Sequence, residues 1–125
     1  FTCALPPAVL ATVLEALTIV EQEPERRHHL WDNTRHMRAG LREIGFEVSS
    51  SGTQIIPLMV GEPERVMRLS QELLDRGVFA QGIRYPSVPR GTERIRLTVT
   101  ASHSKADLDA ALTALAEAWR ALTFN

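Results

Sequence analysis

From Glu93 to Val99 the chain alternates without a break: Ile95, Leu97 and Val99 fall on one side, Arg94, Arg96 and Thr98 on the other. A period of two belongs to a strand and not to a helix, so residues 93–98 predict a strand with one face on a core. That face assignment sends Arg96 from the middle of the strand to the opposite side. A guanidinium held on a rigid strand suits a planar anion such as a carboxylate. The plainer alternative is a solvated arginine on the outer face of a half-buried sheet, and composition alone favours it.

The segments before and after divide into helices and strands. Pro6 and Pro7 suit the first turn of a helix, and Leu10, Val13, Leu14, Leu17 and Val20 then repeat at helical spacing to about Gln22. This stripe is expected to be core. Pro24 ends that helix or turns the chain into a second one, which carries Leu30, Thr34, Met37, Leu41 and Ile44 and stops at Gly45. Residues 46–48 read as a short strand. Residues 54–60 read as a longer one, in which Pro57 requires an edge position or a bulge. A third helix starts with Pro63 at its first position, carries Val66, Leu69, Leu73 and Leu74, and ends before Gly77. Residues 78–84 read as a strand, and Ser104 to Asp107 resembles a capping box opening a last helix with Leu108, Ala111, Leu112, Leu115, Trp119 and Leu122 on one stripe.

The expected fold class is therefore α/β of the α+β type: a small, mainly antiparallel sheet of three to four strands covered on one face by helices. With 125 residues the chain is long enough for one substantial core. A net charge of −1 gives no global attraction to nucleic acid or to an anionic membrane, and no apolar run approaches a membrane span. Cys3 is the single cysteine, so no intrachain disulfide and no cysteine-based zinc site can form. No signal-peptide pattern opens the sequence, and a reducing, cytoplasmic setting is expected.

Most candidate chemistry is weak. His28, His29 and His36 fall on a polar helix face, where solvated side chains are expected, and His103 sits at a turn. None forms a zinc-hydrolase pair, so no metal site is expected. Cys3 and the serines at 49–51 have no histidine at a diagnostic spacing. Gly82 and Gly91 do not make a phosphate loop, and the dispersed arginines lack the aromatic interleaving of a nucleic-acid platform. Lys105 stands in a helix's first turn and is expected to be solvated. Arg84 and Arg96 remain, twelve positions apart on successive strands joined by a connection that Pro86, Pro89 and Gly91 stiffen. If those strands pair antiparallel, both guanidiniums can approach one side of the sheet.

Four segments resemble the C-terminal small domain of the α-oxoamine synthases, pyridoxal-phosphate enzymes of fold type I. They are Phe-Thr-Cys-Ala-Leu-Pro-Pro-Ala at residues 1–8, Ile-Ile-Pro-Leu-Met-Val-Gly at 55–61, the stretch 83–96, and 98–104 with Asp107 behind it. The specific part is Tyr-Pro-Ser-Val-Pro-Arg-Gly-Thr at 85–92, followed by Arg-Ile-Arg-Leu.

The resemblance implies an enzyme that condenses a small amino acid, L-alanine or glycine, with an acyl-coenzyme A, releasing coenzyme A and carbon dioxide. It implies that Arg96 binds the amino acid carboxylate. Arg84 matches an arginine that 8-amino-7-oxononanoate synthases, enzymes of biotin biosynthesis, carry in an Ile-Arg-Pro-Pro segment, although Tyr85 replaces the first proline here. Glycine C-acetyltransferases share the Tyr-Pro-x-Val-Pro part without this arginine and stand as the alternative subgroup. Thr2 occupies a hydroxyl position that resembles one approaching the cofactor phosphate of a neighbouring subunit. The cofactor implied is pyridoxal phosphate, held mainly by a large domain that would precede Phe1 and supply the Schiff-base lysine. Residues 1–23 would then be a lead-in and helix linking to that domain, and 24–125 the small domain of a homodimeric enzyme, inert by itself. A stand-alone binding domain of the same fold is the competing expectation.

Overall fold

A computed structural model describes residues 4–48 and 52–123, with side chains to Leu122. Its elements in chain order are α1 (Pro7–Gln22), α2 (Pro24–Ile44), β1 (Ile55–Met59), α3 (Pro63–Asp75), β2 (Gln81–Ile83), β3 (Arg94–Thr98) and α4 (Lys105–Thr123). The strands form one antiparallel sheet in the order β1-β3-β2. Pro57 can sit within β1 because that strand is an edge, and the pairing runs from Ile55 opposite Thr98 to Met59 opposite Arg94 without a bulge.

The sheet buries one face. Ile56 and Leu58 of β1 and Ile95 and Leu97 of β3 join Met37 and Leu41 of α2, Val66, Leu69 and Leu73 of α3, and Leu108 and Leu115 of α4. Each of α2, α3 and α4 contributes its stripe at helical spacing, so three helices cover one side of three strands. Gly82 of β2, paired with Ile95, lets α3 lie close: a Cβ there would meet Val66 Cγ1 at 2.8 Å. Gly45 ends α2 in the left-handed region, φ 101°, while the Phe46 N–H donates to the Leu41 carbonyl.

Several expectations change. Residues 46–48 are not a strand; Phe46 instead turns inward, its ring 4.8 Å from that of Trp119. The strand expected over 78–84 shortens to Gln81–Ile83, because its first residues finish α3. The Val78 N–H donates to the Leu73 carbonyl and the Ser70 hydroxyl to the Ala80 carbonyl. Leu74 is half exposed and outside the core, being one position off the stripe set by Val66, Leu69 and Leu73. The stripe of α1 is also not core here. Leu10, Val13, Leu14, Leu17 and Val20 are all exposed, Leu14 at 66%, and no residue of that helix is buried.

Polar contacts fasten the helices. Buried Asn33 donates from Nδ2 to the carbonyls of Thr100 (3.0 Å) and His103 (2.8 Å), tying α2 to the turn between β3 and α4. The Ser104–Asp107 capping box forms as read: the Ser104 N–H donates to Asp107 Oδ2 (2.9 Å) and the Asp107 N–H to Ser104 Oγ (3.2 Å). His36 is not simply solvated, since it lies half-buried with Nε2 2.6 Å from Asp109 Oδ1 on α4.

Candidate functional site

The uncovered face of the sheet carries Ile55, Pro57 and Met59 from β1, Arg94, Arg96 and Thr98 from β3, and Gln81 and Ile83 from β2. Arg96 sits at its centre, opposite Pro57 on one side and Gln81 on the other. Its Nη2 donates to Gln81 Oε1, a neutral amide. A guanidinium has five N–H donors, so this bond orients Arg96 while leaving a fork for an anion. Proline on the other flank offers no competing carboxylate. Next to it, the half-buried Arg94 donates from Nε to the Thr92 carbonyl (2.8 Å) and lines a hollow of about 490 Å³ with Glu47, Val48, Pro57 and Met59. Arg94 and Gln81 were not singled out from the sequence, although the alternation that marked Arg96 also marks Arg94.

Arg84 lies elsewhere. The last β2–β3 pair is Ile83 with Arg94, so Arg84 stands one position past the ladder, level with Glu93. Alternation directs that next pair away from the face holding Arg96. Arg84 lines a separate cavity of about 360 Å³ with Pro63, Tyr85, Arg90, Gly91 and Glu93. The two arginines therefore do not converge. In the same cavity the Arg90 guanidinium stacks 4.8 Å from the Tyr85 ring. Glu93 belongs to the buried series of β3 with Ile95 and Leu97, and is 0% exposed. Its parity with those residues was the signal for its burial.

Thr2 and Cys3 lie outside the described residues, as do the serines at 49–51. Lys105, the single lysine of the chain, is exposed at the first position of α4. His103 serves the turn, its Nδ1 accepting from the Thr100 N–H at 3.3 Å. Among the described residues there is no cluster suited to a metal ion and no helix long and apolar enough to cross a membrane. Nor do these residues fit a pyridoxal phosphate site: the single lysine is exposed at the start of α4, so no buried lysine is available for an imine.

Comparison with known proteins gives a consistent result. A family profile described as aminotransferase class I and II matches residues 1–115. The chain is 51% identical over 122 residues to an 8-amino-7-oxononanoate synthase of Symbiobacterium thermophilum, covering 98% of this chain and 31% of that protein. It is 46% identical over 114 residues to an 8-amino-7-oxononanoate synthase/2-amino-3-ketobutyrate coenzyme A ligase of Thermus thermophilus, covering 91% and 29%. Among solved structures, a serine palmitoyltransferase of Sphingomonas wittichii superposes with a TM-score of 0.91 at 29% identity, over 99% of this chain and 32% of that one. An SPT structure that holds PLP gives 0.93 at 31% identity, over 100% and 32%. The chain thus spans about 30% of the length of the curated relatives it matches.

Proposed function

The chain belongs to the aminotransferase class I and II family, and from that premise we propose that it is the C-terminal small domain of a pyridoxal-phosphate-dependent α-oxoamine synthase. The complete enzyme would condense L-alanine or glycine with an acyl-coenzyme A thioester and release coenzyme A and carbon dioxide. The likeness to an 8-amino-7-oxononanoate synthase of Symbiobacterium thermophilum supports an enzyme of that subgroup. The dual name of the Thermus relative supports a second reading, in which the acyl group and amino acid are those of a glycine C-acetyltransferase.

The observation that carries the proposal is Arg96, fixed at mid-strand on an uncovered sheet face with a neutral amide as its only side-chain partner among the described residues. A strand position limits where the guanidinium can travel, and Gln81 sets its plane. The residue's work is to bind and orient a substrate carboxylate. Pyridoxal phosphate would supply the electron sink from another domain, because the described residues of this chain do not build its site. Accordingly, we assign residues 24–125 to the small domain and residues 1–23, with α1, to the link with a large domain. The exposed stripe of α1 supports that assignment, since an apolar face of this extent is suited to burial against more protein. The complete enzyme would be a homodimer, and the 125 residues alone would not turn over.

Arg96→Ala in the full-length protein tests the reading. A charge-assisted bidentate pair contributes about 1.5–3 kcal/mol, so amino acid affinity should fall roughly ten- to hundredfold. Titration with L-alanine and with glycine measures it, and a change below about twofold for both would remove Arg96 from the site.

A further inference from the structure

Glu93 presents a chemical imbalance. Its residue is 0% exposed, and neither Oε1 nor Oε2 has a hydrogen-bond partner. Its backbone is held firmly, the carbonyl accepting from the N–H groups of Val60 and Gly61 at 3.0 Å each. The main chain is therefore fixed at the end of the sheet, beside the cavity that Glu93 lines. Buried carboxylates are stable when a cation or several donors reach them.

Two cations line the same cavity, Arg84 and Arg90. Arg90 is engaged, stacked on Tyr85. Arg84 is exposed, and among the described residues its side chain has no hydrogen bond or ion pair. It is also the residue that the β2–β3 register, carried one pair further, sets across from Glu93. Opposite charges at directly facing positions attract across a ladder, and the cavity leaves room for the arginine side chain to turn inward.

We propose that Glu93 is a positioning residue for Arg84, a buried counter-ion that draws the guanidinium into the cavity and competes for it with an anionic group of the substrate. The proposal rests on the function proposed above and adds one premise to it, that Arg84, the second anion-binding candidate of the sequence, meets an anionic group of the substrate. The pair gives Arg84 two stations: inward on Glu93, or outward on a ligand. Substrate affinity at Arg84 is then set by the difference between them. It also accounts for a glutamate in a series otherwise filled by Ile95, Leu97 and Val99.

A double-mutant cycle in the full-length protein tests this with Arg84→Ala, Glu93→Gln and the combined variant. In urea unfolding, Arg84→Ala should lower the folding equilibrium about fivefold or more when Glu93 is present, and less than about twofold when it is Gln. Equal losses in both backgrounds overturn the pairing. Arg84 is exposed, so its variants keep the test available even if the buried Glu93→Gln change weakens the fold. In steady-state kinetics, the substrate whose KM rises in Arg84→Ala should show a KM about threefold or more lower in Glu93→Gln, with kcat moving less. An unchanged KM in Glu93→Gln, or an effect that persists without Arg84, overturns the positioning role. The unfolding arm contains no substrate, so it fails or succeeds independently of the proposed function, which Arg96→Ala decides.

Discussion

Helices α1 and α4 look alike as sequences and behave differently as structure. Each carries apolar residues at helical spacing along one side. In α4 the stripe enters the core, with Leu108 and Leu115 buried and Trp119 packed at a tilt against Phe46. In α1 the stripe faces outward along its length. Their starts differ too. The first turn of α4 is closed by reciprocal bonds between Ser104 and Asp107, whereas α1 begins at Pro7 with no side-chain cap. Periodicity states that a helix has a side to bury; it does not state against what.

The largest effect that can break this comparison lies in the stripes. Leu115→Ala should cost about 2–5 kcal/mol in urea unfolding, as expected for a large core side chain removed without collapse. Leu14→Ala in the 125-residue chain should change stability by less than about 0.5 kcal/mol, because its side chain is already in water. In the full-length protein Leu14→Ala should approach the Leu115 value, if α1 lies against a large domain. Equal and small effects in both settings would leave α1 without a partner.

A middle-sized effect separates the helices by polar anchoring. Asn33→Ala leaves the carbonyls of Thr100 and His103 without their side-chain donor and should destabilise by about 1–3 kcal/mol. On α1 the comparable bond, from the Arg27 guanidinium of α2 to the Val20 carbonyl, holds only its C-terminal end, so Thr12→Ala, which removes a bond to the Ala8 carbonyl within the helix, should stay within about 0.5 kcal/mol. The same unfolding measurements decide it.

The smallest effect is a dependence on pH at the start of α4. The Ser104 hydroxyl, and then its backbone N–H, hold the Asp107 carboxyl below its ordinary value. A lowered folded-state value means that the cap's contribution is complete above the ordinary aspartate pKa of about 3.9 and is lost as pH falls through the lower folded value. Amide exchange at Ser104, whose N–H the carboxylate holds, should therefore quicken relative to the middle of α4 in that acid window, while the first turn of α1 shows no such step. Acid exchange that rises equally in both helices would dissolve the distinction.

The wider fold was legible where the signal is local. Pro63 at the start of α3, Gly45 at the end of α2, the edge position of Pro57 and the capping box all follow from backbone chemistry within a few residues. Reading failed where a distant contact outweighed the local pattern. The segment at 46–48 looked extended, but Phe46 found Trp119, 73 positions later in the chain, by folding against α4. Residues 78–80 looked like strand, but closing α3 used their hydrogen-bonding groups first. At the site, alternation sufficed to put Arg96 on the outer face. It could not reveal Gln81 as the group orienting it, because register between strands is set by packing and turn geometry together.

By itself, then, the sequence determined that β3 has an apolar and a basic side, that four stretches are amphipathic helices, and which of them are capped. Those properties depend on neighbours along the chain. Only the tertiary structure decided that Arg84 and Arg96 occupy different places and that Glu93 is enclosed beside the first of them. It alone also left the α1 stripe uncovered. Each of these depends on which surfaces meet, and burial is a property of the meeting, not of the residue.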